Sequence, residues 1–325
     1  MKAALCFIIS YDHVLKKEEI WKEWIEPNKD IINVYFHYKD ITAIKSQWIK
    51  KHALPHSYLV YTDYFHIVPA YLTLMYYGIK HDNQNQWFCF LTDSCVPIIS
   101  PLKFRELFFE NLSYSFLKWR PAWWDTNLVK RANIHLLKQE FRLANSPWFI
   151  LNRSDAMRCI NYSRTNKDIY SLVCRGNVAN ESIFSIMLYT QHSLKYVKNE
   201  DTTATDWTRI LTPTSPHLFT DGDHTDKMLI DKFMKENKYT MFLRKVDISF
   251  PDEVIRDYIN RGTDDTQAVI ATKKKVDMLE TKILLTNYYY YSLYIYKKYY
   301  LLFLFGLAFA ISAYFFEDFQ MLISY

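Results

Sequence analysis

The sequence predicts an α/β protein with a mainly parallel central sheet. Short runs of β-branched and aromatic residues alternate with amphipathic segments through the first hundred residues, in the order typical of strand–helix–strand units. Half of the 325 residues are hydrophobic, which is enough for a substantial core. Since ligands bind at the carboxyl ends of parallel strands, the polar segments that follow these strands are where we expect a functional site.

The N-terminal half carries the clearest elements. Residues 3–9 form an apolar run too short to span a membrane, and we interpret it as a buried first strand rather than a signal peptide. A helix follows, in which four apolar residues share one face: Ile20, Trp21, Trp24 and Ile25. The remaining predicted elements are strands at 31–37, 58–61 and 87–92 and a helix at 68–79. The polar segments at strand ends are 11–13, 37–40 and 93–97.

The second half is less regular, and its elements are shorter. The predicted elements are helices at 104–117, 155–162 and 178–188, short strands at 148–151 and 240–246, and a loop region at 199–226 that is rich in Thr, Asp and Pro. Glu181 falls in the first turn of the helix predicted at 178–188.

Composition excludes several classes of site. The chain has five glycines, and no two are spaced as in G-x-G-x-x-G or G-x-x-x-x-G-K, which excludes a dinucleotide fingerprint and a P-loop. The formal net charge of +5 comes from scattered basic residues, which favours solvated surfaces over a nucleic-acid stripe. Five cysteines without C-x-x-C spacing indicate reduced, buried thiols rather than a zinc site.

Sugar transfer from a nucleotide-sugar fits these constraints. It needs a carboxylate to deprotonate an acceptor hydroxyl, cations or a metal to hold the leaving pyrophosphate, and aromatic planes for sugar faces. Five segments have the order expected for one such family. They are FLTDSCVP at 90–97, NSPWFILNRSDA at 145–156, ANESIF at 179–184, DW at 206–207 with SPHLF at 215–219, and FLRKV at 242–246.

In this order the segments resemble the core-2/I-branching β-1,6-N-acetylglucosaminyltransferases and their plant and xylosyltransferase relatives, which form glycosyltransferase family 14. The resemblance covers about residues 3–250 and depends on the order of the segments rather than on any single one. It implies a GT-A-like, Rossmann-type nucleotide-sugar transferase domain that inverts the anomeric configuration and needs no divalent metal.

The resemblance also implies that Glu181 is the catalytic base. A single carboxylate suffices for in-line displacement at an anomeric carbon, provided that it reaches the acceptor hydroxyl. The alternative is an ordinary glutamate that interacts favourably with the dipole of a helix. The family usually has Asp where this chain has Asn180, which puts the hydrogen bonds around the base in question.

Donor-binding residues are expected at the strand ends. The resemblance implies that Lys245, with Arg244 beside it, binds the donor pyrophosphate in place of a metal, since a cation stabilises the departing negative charge. The alternative for Lys245 is a salt bridge at a strand end. His37 and Asp40 match the family's H-x-D region loosely, and Asp93 either lies near the donor or caps the segment that follows it.

Three residues are candidates for the acceptor site. We expect Trp207 to stack on the acceptor sugar, with core packing as the alternative. Trp148 belongs to the segment at 145–156, and Arg120 corresponds to the family's basic acceptor-binding segment.

One motif suggests a metal instead. Asp221-Gly222-Asp223 resembles the D-x-D manganese motif of metal-dependent glycosyltransferases, but it comes late in the chain, which favours a turn. We therefore expect no metal cofactor. A metal-dependent transferase that uses Asp221 and Asp223 is the alternative mechanism.

The expected donor is a UDP-sugar that carries N-acetylglucosamine or xylose, the expected acceptor is a glycan or glycoprotein, and no nucleic acid is involved. A catalytically degenerate module of the same fold, which binds sugar or protein, is the alternative function.

The C-terminus predicts a membrane anchor. Residues 299–316 carry no charge and span about 27 Å as a helix, which is just enough to cross a bilayer core. Tyrosines precede this stretch, as in an interfacial aromatic belt. Lysines before it and acidic residues after it predict that the catalytic domain faces the cytosol, whereas animal members of the family face the Golgi lumen. The predicted organisation is a transferase domain at 1–255, a helical linker at 256–298 and the membrane helix at 299–316.

Overall fold

The computed structural model describes residues 1–122, 131–210, 212, 215–261 and 266–323. The chain divides into two compact units, Met1–Thr272 and Lys273–Tyr325. The first is an α/β domain, and the second is the main part of one long helix.

Among the described residues, the strands are β1 (Lys2–Ile8), β2 (Ile32–His37), β3 (Asn85–Thr92), β4 (Val96–Pro97), β5 (Trp119–Pro121), β6 (Leu143–Asn145), β7 (Ile150–Asn152), β8 (Thr203–Thr205) and β9 (Phe242–Arg244). The helices are α1 (Glu18–Ile25), α2 (Gln47–His52), α3 (Val68–His81), α4 (Pro101–Glu110), α5 (Arg153–Thr165), α6 (Lys167–Cys174), α7 (Ile183–Thr190), α8 (His224–Glu236), α9 (Asp252–Ile259) and α10 (Thr266–Ile323).

The central sheet has the order β2–β1–β3–β7 and is mainly parallel, as the sequence predicts. Leu5 at the middle of β1 lies opposite Val34 of β2 and Cys89 of β3, and both neighbours run parallel to β1. Strand β7 closes the sheet in the antiparallel direction, with Ile150 opposite Cys89. The interior of β1 is completely buried, because a parallel sheet covered on both faces requires continuous apolar strands.

A second, smaller sheet has the order β4–β9–β8. Leu243 of β9 lies opposite Val96 of the antiparallel β4 and Ala204 of the parallel β8. The strand predicted at 240–246 is therefore present in a shorter form, and β8 lies inside the region predicted as a loop at 199–226. Strands β5 and β6 form a separate antiparallel pair.

The prediction of a strand at 58–61 is wrong. The chain makes a 3-10 turn at His56–Tyr58 and continues without regular structure. The Tyr58 N–H donates to the Pro55 carbonyl at 2.9 Å, and the Leu59 N–H donates to the His56 carbonyl at 3.0 Å. Donors that are used within a turn cannot pair with a neighbouring strand.

Helix α1 connects the two sheets through its tryptophans. The ring of Trp21 packs edge-on against Phe7 of β1 at 5.0 Å between centroids and lies 5.8 Å from Phe242 of β9. Its indole N–H donates to the Cys95 carbonyl at 2.9 Å, in the turn between β3 and β4. Trp21 is completely buried, so it fixes the second sheet against the first by both packing and a buried hydrogen bond.

The five cysteines are unpaired, as the sequence predicts. Cys6, Cys89, Cys95 and Cys159 are buried, and burial raises the pKa of each of these thiols. A thiol with a raised pKa holds little thiolate at neutral pH and is a weak nucleophile.

The predicted membrane helix at 299–316 is not supported by the structure. Helix α10 runs through this stretch, but side chains are described only as far as residue 308, and 309–316 lie outside them. The described part, 299–308, spans about 15 Å, roughly half of a bilayer core. Over the residues that the structure describes, no helix has the length and apolarity needed to cross a membrane.

We predict that Trp21→Phe lowers the free energy of unfolding by about 1–3 kcal/mol, because the buried Cys95 carbonyl loses its donor. Urea denaturation followed by circular dichroism measures this loss. The control is Trp207→Phe, since Trp207 is 55% exposed and should unfold like the wild type. Equal midpoints for the two variants would show that the Trp21 hydrogen bond does not hold the sheets together.

Candidate functional site

The candidate site lies at the carboxyl edge of the central sheet. The segments that follow β1 and β3 are joined there, since the Ser10 N–H donates to the Asp93 carboxylate at 3.2 Å and the Lys16 N–H donates to the Asp93 carbonyl at 3.0 Å. The Val246 N–H donates to the Ser94 carbonyl at 2.9 Å, which brings the end of β9 to the same edge. Three stretches that are distant in sequence therefore meet where the sheet topology predicts a ligand.

Glu181 lies in a 3-10 turn, Ala179–Glu181, before α7 and not in the first turn of an α-helix as predicted. Its carboxylate pairs with the Arg131 guanidinium, with 3.0 Å between Oε2 and Nη2. Burial raises the pKa of Glu181 above its ordinary value, and the positive charges of Arg131 and Arg244 oppose that rise. A partly exposed carboxylate with a raised pKa beside cations is a candidate acid–base group.

Asn180, which stands where the family usually has Asp, is part of a buried network that supports this turn. The Asn180 carbonyl accepts a hydrogen bond from the Asn145 side-chain amide at 2.9 Å, and the Asn145 side-chain oxygen accepts one from the Ser185 N–H at 3.1 Å. Asn180 is 4% exposed and its side chain also bonds to the Tyr71 hydroxyl. The turn that carries Glu181 is thus held by β6, α3 and α7.

Arg244 links the carboxylate to the rest of the site. Its guanidinium lies over the ring of Trp148, 4.7 Å from the centroid, which is a cation–π contact. Its charge influences the pKa of Glu181, of Tyr71 and of Lys245. Within the described part of the chain, the Arg244 Nε is buried and has no hydrogen-bond partner.

Lys245 lies beside two further cations. Burial lowers the pKa of Lys245, and repulsion by Arg244 and Lys16 lowers it further, whereas Asp93 and Asp247 oppose the shift. The Lys16 ammonium pairs with Asp247 at 3.1 Å. Three cations at one edge raise the local positive potential, which is the electrostatic condition for binding a pyrophosphate.

The adjacent Lys17 has a structural role instead. Its ammonium is buried and donates to the carbonyls of Ile248 and Phe250 and, at 2.8 Å, to the Asp252 carboxylate. It therefore anchors the segment that follows β9 to the start of α1.

His37 ends β2 and Asp40 lies in the loop that follows, and the Ile9 N–H donates to the His37 carbonyl at 3.1 Å, at the same edge of the sheet. His37 is 2% exposed, and burial lowers its pKa to about 4, so its ring is neutral at physiological pH. The exposed Asp40 carboxylate accepts hydrogen bonds from the Thr42 N–H at 2.8 Å and the Thr42 hydroxyl at 2.7 Å, and the Asp40 N–H donates to His13 Nε2 at 2.9 Å. These contacts shape the loop after β2, and no contact of the structure tests their predicted role in donor binding.

The acceptor candidates differ in exposure. Trp207 is 55% exposed and comes two residues after Thr205, which lies opposite Arg244. Trp148 is 7% exposed because Arg244 covers it, so its ring face is already occupied. Arg120 lies on β5 and acts on the pKa of Asp201, which burial raises. Of the two tryptophans, Trp207 is therefore the one whose ring is open to solvent.

The D-x-D candidate forms a turn and a helix cap. The Asp223 side chain accepts a hydrogen bond from the Asp226 N–H at 2.8 Å, as the N-cap of α8. Gly222 between the two aspartates has a φ of 62°, which favours glycine. Arg209 bridges the buried carboxylates of Asp206 and Asp226 at 2.7 Å and 2.8 Å and holds the same loop. In the described ranges, no group of three or more metal-ligating residues is present.

The sequence analysis missed three residues of the site: Arg131, Lys16 and Tyr71. Arg131 lies fifty residues before its partner, and Lys16 precedes a helix in which the tryptophans dominate the pattern. Tyr71 reads as one more apolar residue of α3, although its hydroxyl donates to the Pro147 carbonyl at 2.9 Å. The resemblance of segments 145–156 and 179–184 to one family was the only indication in the sequence that these two segments meet.

The comparison with protein families gives one match. The family described as Core-2/I-Branching enzyme matches residues 5–240 of the chain. No curated protein matches it significantly. The match covers nearly three quarters of the chain and includes Glu181 and Trp207, and it ends just before Arg244 and Lys245.

We predict that Asp223→Ala lowers the free energy of unfolding by about 1 kcal/mol, because α8 loses its N-cap. The control is Asp221→Ala, since the Asp221 side chain is exposed and should matter little. Thermal denaturation with and without millimolar manganese measures both effects. A melting temperature that manganese raises in the wild type but not in Asp221→Ala would contradict the cap and support a metal site.

Proposed function

Because the chain belongs to the core-2/I-branching enzyme family of glycosyltransferases, we propose that it is an inverting, metal-independent enzyme that transfers N-acetylglucosamine or xylose from a UDP-sugar. The observation that carries this proposal is the carboxylate of Glu181, with its raised pKa, beside Arg244 at the carboxyl edge of the sheet. A transferase of this class needs one base and one cationic site at the same edge.

In the proposed reaction Glu181 is the base. Its carboxylate takes the proton of the acceptor hydroxyl while the hydroxyl oxygen bonds to the anomeric carbon. The bond from that carbon to the phosphate oxygen breaks, and the electron pair leaves with UDP. Attack opposite to the leaving group inverts the configuration. The raised pKa makes Glu181 a stronger base than an ordinary glutamate, which suits proton transfer near neutral pH.

The proposed site for the leaving pyrophosphate consists of Arg244, Lys245 and Lys16. Burial lowers the pKa of Lys245, and repulsion by Arg244 and Lys16 lowers it further; an anion with two negative charges would relieve the repulsion. Cations that are already in place stabilise charge as it develops on the leaving group, which is the contribution that a metal makes in other transferases. Asp247 pairs with the Lys16 ammonium at 3.1 Å and holds that lysine in place.

For the acceptor we propose a sugar that stacks on the exposed face of Trp207. Its indole is open to solvent, while the preceding Asp206 is completely buried and bound by Arg209 and Thr208. The ring is thus accessible while the residue before it is held in place, as a sugar platform requires. Arg120 would contact polar groups farther along a glycan.

The five unpaired cysteines support a reducing compartment for the enzyme. We therefore propose that the catalytic site, in a transferase domain over 1–255, faces the cytosol.

We predict that Glu181→Gln abolishes release of UDP from its donor, with a loss of about 10²–10⁴-fold in kcat, because the amide cannot accept the proton. UDP release by the full chain with UDP-N-acetylglucosamine or UDP-xylose and a panel of glycans measures it. Glu253→Gln on the exposed side of α9 is the matched control. A fully active Glu181→Gln protein would remove the mechanism, and a wild type that binds UDP without turnover would favour the binding module.

We also predict that Lys245→Met and Arg244→Met weaken UDP binding more than Lys17→Met does, when each loss of affinity is compared with the loss of folding stability in the same variant. The reason is that only Lys245 and Arg244 among these three face the proposed pyrophosphate. Calorimetric titration with UDP, with and without EDTA, measures the affinities. We expect EDTA to change neither affinity nor rate. Activity that EDTA removes and manganese restores would support the metal-dependent mechanism instead.

A further inference from the structure

The turn that carries Glu181 is docked, backbone against backbone, on a second segment. Arg131 forms an isolated parallel bridge with Asn177, and the Ala132 N–H donates to the Asn177 carbonyl at 2.8 Å. A Cβ at Gly176 would lie 2.4 Å from the backbone nitrogen of Asn133, so only glycine permits this approach. The segments 131–133 and 176–178 therefore keep a fixed separation.

Both segments are held in strained conformations. Ala132 and Asn133 have φ values of 50°, and Val178 has a φ of 56°. This left-handed region is unfavourable for any residue with a Cβ and especially for a β-branched one such as Val178. Such strain persists where the surroundings impose it, and it concentrates at functional sites. The Val178 N–H donates to the Phe65 carbonyl at 3.0 Å, which fixes the turn from its other side.

This docking directs Arg131 at one oxygen of the base. The Arg131 Nη2 lies 3.0 Å from Oε2 of Glu181, and both side chains are about a quarter exposed. The ion pair thus joins the base to a side chain from a different part of the chain.

We propose that Arg131 is a positioning residue that binds Oε2 of Glu181 and thereby orients Oε1 toward the acceptor hydroxyl. The inference rests on the proposed function, in which Glu181 is the base. Arg131 comes from a part of the chain fifty residues away, and the backbone contact at Gly176 makes its guanidinium part of the same rigid unit as the base. An arginine held in this way limits the rotation of the carboxylate.

Three groups on different elements face the carboxylate. They are Arg131 before β6, Arg244 on β9 and the Tyr71 hydroxyl on α3. Both arginines favour the charged form of Glu181, whereas burial favours the neutral form. Removal of Arg131 should therefore raise the pKa of Glu181 further, so that the carboxylate is lost at a higher pH as the solution is acidified. Activity on the acidic side then falls at a higher pH than in the wild type.

The test uses the full chain as Arg131→Met and Arg131→Lys, with Arg105→Met as the control. Arg105 forms an ion pair with Asp30 at 2.8 Å that is remote from the site. The rate of UDP release is measured against pH, and carbon-13 NMR follows the titration of the Glu181 carboxyl, assigned with Glu181→Gln. We expect Arg131→Met to lower kcat by about 10- to 100-fold, to leave the donor KM unchanged and to move the acidic limb to higher pH. Arg131→Lys should recover part of the lost kcat and part of the shift of the acidic limb.

The outcomes separate the two proposals. Wild-type kcat and an unshifted acidic limb in Arg131→Met would overturn the positioning role while Glu181→Gln remains inactive. A lower melting temperature with an unshifted limb and an unshifted carboxyl titration would reduce Arg131 to a folding role and overturn the inference equally. Full activity of Glu181→Gln would overturn the proposed function itself, and the inference with it. The NMR titration needs no turnover, so it tests the ion pair even without a known acceptor.

Discussion

The parallel pairing of β1 with both of its neighbours is the constraint on which the site depends. Because β2 and β3 run in the same direction as β1, the segments after Ile8, His37 and Thr92 all leave from one edge of the sheet. Trp21 then holds β9 against that edge, since it contacts Phe7 and Phe242 and bonds to the turn after β3. Sheet direction and one buried indole thus bring the cations at the end of β9 to this edge, while the turn that carries Glu181 is held separately by the Asn145 side chain and by the bridge between Arg131 and Asn177.

The site combines an excess of positive charge with one carboxylate that is costly to ionise. Arg244, Lys245 and Lys16 repel one another at the edge, and the face of Trp148 offsets part of that cost for Arg244. For Glu181 the unfavourable factor is burial, which raises the pKa of its carboxyl group and so disfavours the charged form. In the proposed reaction the cations would bind the leaving anion and the carboxylate would accept the proton, which are the two demands of glycosyl transfer.

The sequence was informative about the parallel sheet and about the family, and much less so about the side chains that surround Glu181. Apolar runs at 3–9, 31–37 and 87–92 predicted the parallel strands correctly because buried strands need continuous apolar residues. The run at 58–61 has the same composition, but the turn at His56–Tyr58 uses its donors. No local pattern could reveal Arg131, since its position depends on a backbone contact between segments more than forty residues apart. The predicted membrane helix rested on hydropathy in a region of which the structure describes only part.

The backbone contact at Gly176 has a consequence for how this chain can change over time. The segments on its two sides cannot be altered one at a time, because a side chain at Gly176 would collide with the backbone at Ala132 and Asn133. Insertions, deletions and bulky replacements should accumulate elsewhere on the surface. At this contact, a change in one segment should require a matching change in the other. The chain has five glycines in all and uses one of them where two loops must touch. Few other sequences are compatible with the fold at this contact.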